Sequence, residues 1–163
     1  MVLGPMNKNG GGQIVCVSSC LGLRPTKKLA AYSSTKSFLT FISYCIDREY
    51  KNINVQILIP AVVATSMTYY NSKETMSARG LFERIFVISP AKLAREAIRT
   101  IGLTKFTTGS FVHEMQLLVQ YLPVLLQEFI LELITDREDR RVLKLLEDEK
   151  ERHKDSKIRS VAA

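Results

Sequence analysis

Apolar positions along this chain change their period from one stretch to the next. Ile14, Val15 and Val17 form a short β-branched run that closes on Ser18 and Ser19. It predicts a strand over Ile14–Ser19, apolar enough to be buried on both faces as in a parallel sheet. From Leu29 to Tyr50 the spacing switches. Phe38, Phe41, Ile42, Cys45 and Ile46 recur at three- and four-residue intervals, which predicts a helix with an apolar stripe. Val55–Ile59 predicts a second buried strand, stopped by Pro60. Pro90–Leu103 predicts a helix with Ser89 as cap and Pro90 at the first position. Gly109–His113 reads as a third short strand. Thr135–Lys157 reads as a charged helix opened by a capping box of Thr135 and Glu138, with a narrow stripe of Val142, Leu145 and Leu146.

The stretches between are less regular. MVLGPMNKNGGGQ is rich in Gly and Asn and reads as a loop without the apolar core of a signal peptide. Cys20–Lys28 and Lys51–Asn54 read as a loop and a turn. Ala61–Ser89 holds no long clean element, and long irregular segments in compact domains are often binding loops. Leu117–Ile134 is very apolar but is broken by Gln120, Pro123, Gln127, Glu128 and Glu132. It suits a core helix pair, a dimer surface or an interfacial membrane contact, and its Pro and Glu residues argue against a plain span.

Strand–helix–strand–helix–strand order predicts an α/β domain with parallel strands and right-handed crossovers. Ligands in such sheets bind at the carboxyl ends of strands, and Ser19 and Pro60 mark two such ends.

Composition narrows the function classes. With 163 residues the chain has room for one domain with a real core and not for two ordinary ones. The net charge is +7. Asp136–Arg159 holds nine Lys/Arg and eight Asp/Glu, so the excess lies diffusely in the first 135 residues. No basic block with interleaved aromatics occurs, which argues against nucleic acid as partner. Cys16, Cys20 and Cys45 show no metal spacing and read as reduced, buried thiols. His113 reads as a core or edge histidine, and His153 as a solvated one.

The chemistry concentrates between Ser19 and Lys36. Tyr32 follows Ser19 by thirteen residues, and Lys36 follows Tyr32 by four. A Tyr and a Lys four apart on a helix share one face. A free phenol titrates near ~10 and is a poor acid or base at neutral pH. An ammonium held beside a phenol favours its charged form, which suits proton exchange with an alcohol or carbonyl. A serine at the end of the preceding strand is placed to hydrogen-bond the same oxygen.

With these residues in view, the chain resembles the short-chain dehydrogenase/reductase superfamily. It is most similar to the branch of microsomal 17-beta-hydroxysteroid dehydrogenases and very-long-chain 3-oxoacyl-CoA reductases. The resemblance is carried, in family order, by IVCVSS, GLRP, YSSTKSF, EYKNINVQILIPAVVATSM, SPAKLAREAIRTIGLT, TGSFVHEM and YLP. It implies a partial Rossmann-like doubly wound sheet over residues 1–135, followed by a charged helical tail, 136–163. It implies Ser19 as substrate-orienting serine and Tyr32 as acid/base. Lys36 resembles the lysine that binds the nicotinamide ribose and acidifies the tyrosine. Pro60, Val63 and Thr65 match the loop that touches the nicotinamide carboxamide, with Pro60-Ala61 where the family usually has Pro-Gly. Met67–Ser89 corresponds to the variable substrate loop. NADP(H) or NAD(H) is the implied cofactor, and a fatty-acyl-CoA or steroid carbonyl the implied substrate.

The departures from the family pattern shape the expectation. Thirteen residues precede Ile14, too few for a nucleotide-binding strand–turn–helix. The family's glycine-rich phosphate loop and its Asn-Asn-Ala-Gly segment are missing. The chain is therefore expected to be the catalytic half of the fold, a truncated form inactive on its own. The alternative is an inactive fragment that pairs with a full-length relative through the Tyr/Lys helix, as homo- or hetero-dimer, or that acts at a membrane surface. The resemblance implies the endoplasmic reticulum membrane as location, with the cytoplasm as the other reading.

Overall fold

The computed structural model describes residues 2–68 and 86–161. Contacts divide the chain into two compact units, Met1–Tyr121 and Leu122–Ala163. The first unit is α/β. Its elements are helix α1 (Leu3–Lys8), strand β1 (Gly12–Val17), helix α2 (Ala30–Glu49), strand β2 (Ile53–Leu58), helix α3 (Pro90–Ile98), strand β3 (Phe106–Thr107) and helix α4 (Phe111–Leu117). Short 3-10 turns lie at Cys20–Leu23, Ser66–Thr68 and Leu118–Tyr121.

The strands form a parallel sheet in the order β1-β2-β3. β1 pairs β2 in register from Gly12↔Ile53 to Val17↔Leu58, and β2 meets β3 at Ile57↔Phe106 and Leu58↔Thr107. β2 is the core: Ile53, Val55, Ile57, Leu58 and Ile59 are all buried. Helices cover it on both sides. Tyr44 of α2 stacks on Phe106 of β3, and Lys105 Nζ pairs with Asp47 of α2 at 2.7 Å. On the opposite face Gln56, fully buried, donates to the Thr100 and Thr104 carbonyls at 2.8 and 3.0 Å, fastening the turn after α3 to the sheet. This is a partial Rossmann-like arrangement, and α3 begins as the sequence indicates, with Ser89 Oγ accepting from the Lys92 amide at 3.2 Å.

Several expectations are corrected. β1 is not buried on both faces: Val15 and Val17 are 37% and 50% exposed. Among the described residues β1 pairs only with β2, so it is an edge, and the helices on the Gln56 face reach β2 and leave these two valines open. The apolar stripe of α2 does not face the sheet. Phe38 and Phe41 are 68% and 74% exposed, and Ile42 and Cys45 are exposed too. The buried residues of α2 are Ser33 and Ser43, small side chains that let neighbouring backbone come close to the helix.

The expected strand Gly109–His113 is a different structure. The strand lies earlier, at Phe106–Thr107, and His113 belongs to α4. Glu114 explains the switch: its Oε1 accepts from Thr107 Oγ1, Thr108 N and Thr108 Oγ1 at 2.8–3.0 Å, folding the chain back on itself after β3. The N-terminal stretch read as a loop contains α1, which buries none of its residues. The cysteines are free, but Cys45 is exposed and Cys16 and Cys20 only partly buried.

The second unit is one helix, α5 (Val124–Val161), preceded by Pro123. It runs through Thr135 without a break, so no helix starts there. By contacts the two compact units part between Tyr121 and Leu122. Among the described residues no helix is long and apolar enough to cross a membrane.

Candidate active site

The site is assembled where β1 ends against the first half of α2. Ser18 leaves the strand with its amide still bonded to the Leu58 carbonyl, 2.7 Å. Its hydroxyl turns to α2 and donates to the Lys36 carbonyl at 2.8 Å. Thr40 Oγ1 donates to Ser18 Oγ at 2.8 Å and lies 3.1 Å from that same carbonyl. This small network fixes the height of Lys36 relative to the strand end. The turn over Cys20–Leu23 closes the corner, with Gly22 packed directly on the Lys36 backbone.

Within this frame Ser19 is extended and buried, and its Oγ accepts from the Leu21 amide at 3.2 Å. Accepting that bond uses a lone pair and leaves the hydroxyl its own proton to donate. Tyr32 sits in the first turn of α2 and is half-buried. Lys36 Nζ lies 5.7 Å from the centre of the Tyr32 ring and donates to the Val17 carbonyl at 3.1 Å. The Tyr–Lys pair is therefore anchored at the strand end, not a freely solvated helix pair. An ammonium has three donors, so two remain after the bond to Val17. Burial raises the Cys20 thiol above its ordinary range, against opposing hydrogen bonds from Ser19 and the backbone of Leu21 and Cys20.

The end of β2 joins the same corner. The Pro60 carbonyl accepts from the Cys20 amide at 3.1 Å, which sets Pro60 beside the Ser19 turn. Val63 forms a parallel bridge with Ile88, reinforced by Ala64 N to Ile88 O at 2.9 Å. Thr65 is held by Thr68, whose Oγ1 accepts from the Thr65 amide at 3.0 Å and donates to the Val63 carbonyl at 2.7 Å. His113 lies fully buried beneath this stretch, in contact with Ala61 and Val62. The greater part of the expected substrate loop, 69–85, lies outside the described residues.

All six residues singled out from the sequence thus lie at or just beyond the carboxyl ends of β1 and β2, or on the helix that β1 leads into. Sequence reasoning missed the supporting groups Ser18, Gly22, Thr40 and Thr68. The Ser18-Ser19 pair was the only signal, since it is not evident from spacing which of two serines turns to the helix. The donor set suits the nicotinamide-ribose half of a dinucleotide: an ammonium with spare donors, a phenol, and a loop whose Thr65 is held in place by Thr68.

Fold and site together define an α/β domain of the Rossmann type, with its polar groups gathered at strand ends. The profile of the family described as short chain dehydrogenase matches residues 1–75. The chain is 40% identical over 128 residues to the "Inactive hydroxysteroid dehydrogenase-like protein 1" of Pongo abelii, covering 76% of this chain and 36% of the relative. It is 34% identical over 117 residues to the "Very-long-chain 3-oxoacyl-CoA reductase" of Mus musculus, covering 71% of this chain and 34% of the relative. In fold it is similar to a short-chain dehydrogenase from Sphingobium yanoikuyae solved in complex with NADPH, with TM-score 0.52 and 23% identity over 66% of this chain and 40% of that one. The chain belongs to the short-chain dehydrogenase/reductase superfamily, in the branch that holds these relatives. It spans about a third of the length of the curated relatives it matches.

Proposed function

We propose that the chain carries the catalytic half of an NAD(P)-dependent reductase acting on a 3-oxoacyl-CoA or steroid carbonyl. The observation that carries this reading is the anchoring of Lys36 at the end of β1, with Tyr32 one helical turn before it and Ser19 across the corner. Ser19 donates its hydroxyl proton to the carbonyl oxygen and orients it. The Tyr32 hydroxyl delivers a proton to that oxygen as the carbon is reduced. Lys36 uses its remaining donors for the tyrosine and the ribose hydroxyls, while Pro60, Val63 and Thr65 line the nicotinamide face. A bound reduced nicotinamide supplies the hydride. Tyr32→Phe, in a chain that also carries a nucleotide-binding half, removes the transferable proton and should lower turnover roughly 10²–10⁴-fold with cofactor binding retained. Unchanged turnover would refute the role of Tyr32.

A second reading rests on α2. A helix that buries serines and presents Phe38, Phe41 and Ile42 outward is built to pair. In this reading the chain is inactive and binds a second copy or a full-length relative through α2. The "Inactive" in the name of one relative fits it, whereas the presence of Ser19, Tyr32 and Lys36 here favours the catalytic reading. For location, the exposed ridge Leu125, Phe129 and Leu133 on α5 supports peripheral contact with a membrane, the endoplasmic reticulum by the branch resemblance. Release by alkaline carbonate is the expected behaviour, and resistance to it would argue for a true span.

A further inference from the structure

α4 ties together two stretches that are distant in sequence. His113 and Gln116 are one turn apart and share a face of the helix. The Ala61 amide donates to His113 Nδ1 at 3.2 Å, and His113 Nε2 lies 3.3 Å from the Val62 carbonyl. Gln116 Nε2 donates to the Phe86 carbonyl at 3.2 Å. The Val62 carbonyl also faces the Ile88 amide at 3.4 Å, next to the Val63–Ile88 bridge. One helix face therefore grips both the stretch after β2 and the stretch before α3.

The bonds fix the chemical form of the imidazole. A backbone N–H has only a proton to offer, so Nδ1 must present a lone pair. The ring proton then sits on Nε2, where the Val62 carbonyl accepts it. A doubly protonated ring would set a second proton against the Ala61 amide and lose that bond. We propose that His113 is a positioning residue: held neutral with its proton on Nε2, it fixes the Ala61–Val62 peptide and so sets the Pro60–Thr65 stretch against the nicotinamide. The inference rests on the cofactor reading above for the nicotinamide and on the hydrogen bonds alone for the grip. Burial, the largest influence, holds this histidine below its ordinary range. The Val62 and Phe86 carbonyls and Glu96 of α3 oppose that shift, and Lys92 of α3 adds to it. Glu114 on α4 itself is occupied by Thr107 and Thr108.

Nitrogen-15 NMR of the 163-residue chain tests the grip without any variant. The expected spectrum shows His113 with Nδ1 unprotonated and Nε2 protonated, and the Ala61 amide protected from exchange. A proton on Nδ1 would overturn the proposal. Millimolar NADPH is then added to the same labelled chain. Wild type should shift the Val63 and Thr65 amides. His113→Leu should need about tenfold more NADPH for the same shift, the loss expected for one hydrogen bond, and His113→Asn, whose Oδ1 replaces Nδ1, should recover most of it. No shift at Val63 and Thr65 in wild type would sink the cofactor reading while the ring tautomer still reports on the grip. Equal shifts in wild type and His113→Leu would sink the positioning role alone.

Discussion

Gly22 rests on the backbone of Lys36: a Cβ at Gly22 would stand 2.8 Å from the Lys36 carbonyl carbon and 2.9 Å from the Ser37 nitrogen. Both atoms belong to the helix backbone and cannot swing aside. Gly22→Ala should therefore push the Cys20–Leu23 turn off α2 and cost about 1–3 kcal/mol, as overpacking of a tight contact does. Gly4 in α1 has nothing near its missing Cβ. Gly4→Ala should be neutral or stabilise by up to about 1 kcal/mol through helix propensity. Urea unfolding of both variants measures the contrast, and equal midpoints would refute the close contact.

The same corner shows what the sequence makes legible. Ser19, Tyr32 and Lys36 were readable because the chemistry requires fixed types at fixed spacings on a strand end and a helix. β2 was readable because Val55, Ile57, Leu58 and Ile59 make a short apolar run stopped by Pro60, and all four are buried. What failed was inference of direction. The spacing of Phe38, Phe41 and Ile42 defines a helix face but not whether that face meets the sheet or a partner, and here the buried residues of the helix are Ser33 and Ser43 instead. Phe111 and Val112 look like strand residues, and only the tertiary bonds of Glu114 to Thr107 and Thr108 make them the start of a helix. Thr135 and Glu138 look like a helix start, but the helix is already under way from Val124. Of the substrate loop little can be compared, since 69–85 lies outside the described residues.

His113 gives a pH prediction with a definite sign. Its native affinity for a proton is reduced chiefly by burial, so the unfolded chain takes up a proton near pH 6.5 that the native chain still refuses. The stability contributed by the neutral ring is complete above pH 6.5 and is lost as the pH falls from there through the lower native value. Glu96 and Lys92 lie close enough to influence the ring with opposite signs. Urea midpoints of wild type should drop as acid is added over this window, and those of His113→Asn should drop less. Parallel profiles for the two proteins would show that His113 does not carry the dependence.

The outward face of α2 predicts self-association. Phe38 and Phe41 are exposed neighbours one turn apart, and apolar patches of this kind mark protein contacts. Phe41→Glu should leave the unfolding midpoint within about 0.5 kcal/mol of wild type, because the side chain is not in the core. It should shift the chain from dimer toward monomer in analytical ultracentrifugation. A wild-type chain that stays monomeric at high concentration would remove the pairing reading, and so would a dimer indifferent to the substitution.

A dinucleotide pyrophosphate normally rests on the amides of a glycine-rich turn that opens a helix. The glycine-rich stretch here, Gly10–Gly12, leads into β1 instead. Two of its amides are already used: Gly11 N donates to the Met6 carbonyl at 2.9 Å and Gly12 N to the Asn52 carbonyl at 3.2 Å. Gly11, with φ +112, also passes so close to the Asn52 carbonyl that any Cβ would collide with it. Gly11 and Gly12 pack the start of β1 against the turn before β2, and their amides are not available to a phosphate. Tyr32, Lys36 and Thr65 reach only the nicotinamide half in the proposed reading. Isothermal titration of the purified chain with NADPH and with NADH should therefore show no low-micromolar binding by either. Tight binding would mean that the amides at Gly11 and Gly12 open for phosphate, or that other groups on this chain take its place.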